Sequence, residues 1–291
     1  MAQTSIEWAT DVWNPTTGCD RVSAGCDNCY ALTMAKRLKG MGQAKYQRDG
    51  DPRTSGPGFG LTVHDDVLGQ PLRWRKPRRV FVNSMSDLFH ESVPDEFIVE
   101  VFARMWWAPQ HTFLVLTKRH GRMRSLVPGI ETDLRERERD LALVDCPTPL
   151  TWPLPNVLLG VSVETQQWAN IRIPALLETP AAVRWLSCEP LLGPLQIGDA
   201  LFGKSYPSTA MGRGIGGQTM TSGPRVDWVV VGGESGPGAR PMHPDWARSL
   251  RDQCVAAEMP FFFKQWGGPT PKAGGRRLDD RTWDEYPAGA R

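Results

Sequence analysis

Val157-Leu158-Leu159-Gly160-Val161-Ser162-Val163-Glu164-Thr165 runs through seven apolar or small residues and turns polar at Glu164. A strand covered on one face alternates apolar with polar. An unbroken run of this length is a strand covered on both faces, as in a parallel sheet. The same pattern recurs at 79–83, 112–117, 183–187, 226–231 and 260–264. Between these runs lie helical patterns. Pro94 opens one whose buried stripe is Phe97, Ile98, Val101, Phe102 and Met105. Others are expected over 121–126, 166–177 and 244–257. A short first strand at Ile6-Glu7-Trp8 and a helix over 30–38 begin the series.

Six or seven such units predict an α/β chain folded as a partial or complete TIM-type (βα) barrel with parallel strands. An open doubly wound sheet is the alternative, which periodicity does not separate. Residues 1–266 read as one barrel-like domain with an N-terminal cysteine loop at 14–30. Loop-rich insertions are expected at 43–78, 129–155 and 203–225, the last as a lid or a variable loop. The tail, 267–291, is expected to be poorly ordered or draped on the surface.

The chain has 291 residues, 40% apolar and 23% charged, which is the composition of a globular protein with a substantial core. No apolar run approaches the ~20 residues that span a bilayer, so no membrane partner is expected. The opening residues carry neither a basic nor an apolar leader segment, and the expected compartment is the reducing cytoplasm.

Cys19, Cys26 and Cys29 fall within eleven residues on a Gly-punctuated loop, with no fourth Cys and no His beside them. A closed structural zinc site takes four protein ligands. Three point to a metal or iron–sulfur centre with one position open, or to zinc completed by a distant residue such as Cys188. Cys146, Cys188 and Cys254 are scattered and imply no disulfide framework.

In parallel α/β folds the site lies where the strands end. Here those ends deliver Asp87, Lys118, Glu164, Glu189, Gly232-Gly233-Glu234 and Lys264. Their opposed charges suit a zwitterionic ligand. The Gly232–Gly236 turn suits an anion at its backbone N–H groups, or the close approach of a cofactor. Lys118, Glu189 and Lys264 are the candidate catalytic residues. Asp87, Glu164, Gly232, Gly233 and Glu234 are the candidate cofactor-binding residues, and the three cysteines the metal ligands. Two basic groups, Arg73, Arg75, Lys76, Arg78 and Arg79 around Trp74, and Lys118, Arg119, His120, Arg122 and Arg124, suit a nucleic acid.

Thr4-Ser5-Ile6-Glu7-Trp8, the run from Trp13 to Cys19 and Cys26-Asp27-Asn28-Cys29-Tyr30-Ala31 resemble a phage- and prophage-borne family of three-cysteine proteins. So do Leu116-Thr117-Lys118-Arg119, Gly160–Glu164, Ser187-Cys188-Glu189-Pro190, Val231–Gly236 and Phe263-Lys264-Gln265-Trp266-Gly267. That family in turn resembles, distantly, the radical S-adenosylmethionine enzymes. The resemblance implies a 4Fe-4S cluster on Cys19, Cys26 and Cys29, S-adenosylmethionine bound to its fourth iron, and reductive cleavage of that cofactor to modify a substrate. It also implies an electron donor and a phage-encoded partner protein. Six residues, not the usual three, separate the first two cysteines, and Asn28 stands where an aromatic residue is common. The Gly-Gly-Glu of those enzymes follows their second strand, where Asp87 stands here, so its role is not carried to Glu234.

The expected function is therefore an iron–sulfur enzyme of this type, acting on a nucleotide or nucleic acid. The alternatives are a metal-dependent hydrolase or nuclease using the rim carboxylates, and a non-enzymatic nucleic-acid-binding protein with a structural cluster or zinc.

Overall fold

The computed structural model describes residues 4, 6–141, 149–203 and 223–289. Nine strands are described: β1 (Asp11–Trp13), β2 (Thr16–Thr17), β3 (Thr62–Val63), β4 (Arg79–Val82), β5 (Thr112–Thr117), β6 (Val157–Ser162), β7 (Val183–Cys188), β8 (Trp228–Gly232) and β9 (Phe261–Gln265). The described helices of α type are α1 (Tyr30–Gly40), α2 (Asp95–Trp106), α3 (His120–Leu141), α4 (Gln166–Glu178), α5 (Gly198–Leu201) and α6 (Pro244–Ala256). Seven strands form one sheet in the order β1-β4-β5-β6-β7-β8-β9, every pair parallel. Strands β2 and β3 make a small antiparallel pair outside it.

Within this sheet, β2 and β3 apart, each strand lies beside the next one in the chain. A doubly wound sheet reverses its order at a switch point; this one never does, and it curls into a half-barrel open between β1 and β9.

The unbroken apolar strands are explained by two cores. On β6, Val157, Leu159 and Val161 face the helices, while Leu158 faces the concave side. Strand β8 divides Val229 and Val231 from Trp228 and Val230, and β9 divides Phe261 and Phe263 from Phe262. The concave core is aromatic. Trp8 meets Phe81 at 4.7 Å and Trp185 at 5.3 Å between ring centroids. Gly160 makes this possible, since a Cβ there would stand 2.5 Å from the Trp185 indole.

Three expectations are corrected. Residues Ile6–Trp8 are not the first strand; Trp8 is buried as a plug in the concave core, and the strand is Asp11–Trp13. Asp11 at its start is matched by Arg78 on the adjoining segment. Helix α3 does not stop at 126 but runs through Pro128 to Leu141. Its stripe Met123, Val127, Ile130 and Leu134 stays buried at helical spacing, and that burial outweighs the proline. Most of the expected insertion at 129–155 is therefore helix or lies at 142–148, outside the described residues. The expected excursion at 203–225 falls almost wholly at 204–222, also outside them.

The tail is draped, but anchored. Phe263 N donates to Trp283 O at 2.9 Å, Trp228 Nε1 donates to Glu285 O at 2.8 Å, and the Tyr286 ring lies 5.5 Å from that of Trp228. Trp8 and Tyr286 fill the concave side low down, which leaves a cup at the C-terminal ends of the strands.

Candidate functional site

The cysteine loop leaves β1 and crosses over that cup. Gly18 has φ +90, and a Cβ on it would stand 2.4 Å from Gly60 O, so only glycine allows the loop to pass its neighbour. Cys26 ends a single tight turn in which its N–H donates to Ser23 O at 2.9 Å, and Cys29 is the residue before α1. Gly25 lets the turn settle on Glu164, whose Cγ and Oε1 would lie 2.4 Å from an added Cβ.

All three cysteines line one cavity of about 270 Å³. Asp87, Lys118, Glu189, Gly233, Glu234 and Lys264 line it too, with an apolar floor of Ile6, Trp8, Phe81 and Leu116. Two sequence candidates lie outside the lining. Glu164 is fully buried beneath the loop, and Gly232 lies under Glu189, whose Oε1 would be 2.6 Å from a Cβ there.

Hydrogen bonding divides the four carboxylates. Asp87 accepts from Thr117 Oγ1 at 2.7 Å, Lys118 N at 2.9 Å and Phe89 N at 3.0 Å. Glu164 accepts from Arg172 Nη1 at 2.8 Å and Ser23 Oγ at 2.7 Å, with Lys118 Nζ at 3.6 Å. Glu234 accepts from Arg240 N and Nε, both at 2.9 Å, and from Asn28 Nδ2 at 2.8 Å. Burial pushes the Glu234 carboxyl up, but the Arg240 and Asn28 hydrogen bonds outweigh it and hold it below its usual range. These three bind the mouth together, and Glu164 and Glu234 hold the cysteine loop itself. Arg240 adds a bond from Nη2 to Ala24 O at 2.8 Å.

Glu189 differs. Its Oε2 has only two long contacts, from Trp8 Nε1 and Ser187 Oγ, each at 3.4 Å. Its Oε1 lies 2.9 Å from Lys264 Nζ without the alignment of a hydrogen bond.

The Gly232–Gly236 turn has two of its N–H groups already taken. Gly233 N donates to Gln265 O and Gly236 N to Gly268 O, both at 2.9 Å. A Cβ on Gly233 would fall 1.9 Å from Trp266 O, so this glycine serves the passage of one backbone past another.

Burial raises the thiol pKa values of Cys19 and Cys29, and charge on Cys26 raises both further. Arg119 opposes this at Cys19, and Lys118 at Cys29. Lys118 is itself pulled down by burial, but Glu164, Cys26 and Cys29 together raise it above its ordinary value. Cys19 and Cys29 also pack against a small apolar cluster of Ala31, Ala35, Phe59 and Met85. Three soft sulfurs, two cations and an apolar backing fit an iron–sulfur cluster, in which each thiolate takes a different iron.

Among the described residues no group of three or more His, Cys, Asp or Glu side chains is gathered to hold a metal ion. Cys188 is buried in the helix-side core and does not line the cup. Cys146 lies outside the described residues.

The first basic group sits at the start of β4, away from the cup. Its Trp74 is buried with Arg78 stacked at 4.8 Å, and so is no exposed platform for a base. In the second group Arg122 donates to Val93 O at 2.6 Å and Arg124 pairs with Glu178 at 2.9 Å.

Sequence reasoning missed Ser23, Asn28, Arg172 and Arg240. None stands at a strand end, and their role follows from partners remote in the chain. Asn83 and Gln265 do stand at strand ends and line the cup; being neutral, they carried no signal beside the charged residues.

Among the described residues no helix is long and apolar enough to cross a membrane. A family model described as protein of unknown function (DUF5131) matches residues 3–287. No curated protein and no solved structure matches the chain.

Proposed function

The chain belongs to the family described as protein of unknown function (DUF5131), and we propose that it is an iron–sulfur enzyme of the radical S-adenosylmethionine type. Cys19, Cys26 and Cys29 would hold a 4Fe-4S cluster. Such a cluster, with one iron free of protein ligands, binds the amino and carboxylate groups of S-adenosylmethionine and supplies the electron for its reductive cleavage.

One observation carries this reading. The three cysteines line the same cavity as the residues that end β5, β7 and β9, at the mouth of a parallel half-barrel. A purely structural metal loop has no reason to roof a cavity.

The chain's own residues do the rest. Ser23, Asn28 and Arg240 fix the loop to Glu164 and Glu234. Lys118 places a positive charge beside the cysteines, where it favours their thiolates and suits a carboxylate ligand. Trp8, Phe81 and Leu116 form the apolar floor of the cup and help keep water from it.

The saturated bonding of Asp87, Glu164 and Glu234 makes these carboxylates poor free ligands for a hydrolytic metal pair, so the cluster reading is preferred to the hydrolase. The test is an incubation of oxygen-free, iron-loaded protein with S-adenosylmethionine and a strong one-electron reductant. Release of 5′-deoxyadenosine and methionine, absent from Cys26→Ala, is the expected result. A hydrolytic activity that survives Cys26→Ala and disappears with Glu234→Ala would overturn the proposal.

A further inference from the structure

Of the four carboxylates at the mouth, only Glu189 is left under-bonded, and it shares its charge with Lys264. The sheet does not need the pair as a strut. The pair joins β7 to β9 across β8, where the sheet is already held by parallel ladders on both sides. A half-buried ion pair such as this one gives little net stability. The chain nevertheless makes room for it, because Gly232 leaves the space under Glu189 that a Cβ would occupy.

A second group in the cup has an open bond. Ser86 Oγ donates to Thr16 O at 2.9 Å, so in the 2.7 Å contact between the two hydroxyls Thr16 must be the donor. Thr16 Oγ1 then accepts from Asn83 Nδ2 at 3.0 Å, which fixes the amide orientation. Asn83 Oδ1 is left buried without a partner, on a residue that is 3% exposed and lines the cup.

Together these give a cup with apolar surface from Trp8, Phe81 and Leu116, an electrically balanced donor–acceptor pair, and a spare acceptor. A group of net charge set directly against the pair would upset the balance of Lys264 with Glu189. A flat, neutral ring with N–H next to C=O satisfies both at once, the N–H donating to the carboxylate and the C=O accepting from the ammonium. Its faces find apolar and aromatic walls.

We propose that Glu189 and Lys264 form the substrate subsite of this cup, and that its ligand is a nucleobase presenting an N–H beside a carbonyl. The inference rests on the reading of the cup as an active site and names the class of its substrate.

The test uses the full chain, iron-loaded without oxygen, with iron measured in the same sample. Uridine, guanosine and the dinucleotide UpU are titrated as probes, with N3-methyluridine, in which a methyl replaces the N–H, as the control. Binding is expected for the probes, roughly tenfold or more weaker for N3-methyluridine, since one charge-assisted hydrogen bond is lost. Glu189→Gln and Lys264→Met should each weaken uridine by a similar factor while the iron content stays unchanged. Absence of binding by all three probes overturns the inference, as does equal affinity for N3-methyluridine or unchanged affinity in both variants. The control ligand needs no variant, so a misfolded variant does not void the test. Binding without iron would fail the cluster reading alone, and S-adenosylmethionine cleavage without nucleobase binding would fail this inference alone.

Discussion

Ser23 Oγ donates to Glu164 Oε1 at 2.7 Å, joining the middle of the cysteine loop to the end of β6 across 141 residues of chain. The other oxygen of Glu164 accepts from Arg172 Nη1 at 2.8 Å, both side chains being fully buried. The loop that carries the cysteines is thus seated on a charge pair inside the barrel. Where the sulfurs stand depends on the packing of β6 and α4, together with the Glu234 and Arg240 contacts to the same loop.

Removing the carboxylate should be severe. Glu164→Ala leaves the Arg172 guanidinium buried with no counter-charge, and breaking such a pair costs about 3–5 kcal/mol. Denaturant unfolding should show a loss of that order. A loss below about 1 kcal/mol would mean that water reaches Arg172 and that the loop has another seat.

Gly25→Ala separates the loop from the fold. Its new Cβ would meet Glu164 Cγ at 2.4 Å, so the turn must lift away. Overpacking of this kind costs about 1–3 kcal/mol. The variant should fold yet bind markedly less iron than the wild type on reconstitution. Full iron content would contradict the account of how the loop is seated.

Trp8→Ala removes the plug of the concave side, a residue 2% exposed. Loss of a buried aromatic costs about 3–5 kcal/mol. A fall in Tm without loss of the parallel-sheet circular dichroism signal is expected. Unchanged stability would show that Trp8 is not held between Phe81 and Trp185.

The pH dependence of stability should carry a mark of His111. Burial lowers its pKa below the ordinary imidazole value of about 6.5, and Arg78 adds to the shift. Its Nε2 lies 3.1 Å from Pro71 O, while Nδ1 is buried without an acceptor for a second proton. Well above 6.5 the ring is neutral folded and unfolded, and contributes no pH dependence. As pH falls below that value the unfolded chain takes up a proton that the folded one resists, so stability declines until the folded pKa is passed. His111→Gln should flatten that decline in unfolding curves between pH 7 and pH 5. An unchanged slope would place the effect elsewhere, His64 being the next candidate by the same sign.

The long strands were legible because parallel strands buried on both faces leave unbroken apolar runs, as at 157–163. Strand β1 was not, since it is three residues long and starts with Asp11. The extent of α3 was hidden by Pro128 and by the charges of its outer face. At the site, strand-end position found the cup-lining Lys118, Glu189 and Lys264. It did not separate Glu189 from Asp87, Glu164 and Glu234. That distinction lies in partners such as Arg172, Arg240 and Asn28, which only the folded chain brings near.

The central claim is that three cysteines at the barrel mouth hold a cluster with one iron open to a ligand. Electron paramagnetic resonance of the reduced, oxygen-free protein with and without S-adenosylmethionine tests it most directly. A 4Fe-4S signal with about four irons per chain, shifted by S-adenosylmethionine and lost in Cys26→Ala, is the expected result. A colourless protein with stoichiometric zinc, or a cluster signal that S-adenosylmethionine leaves unmoved, would contradict it.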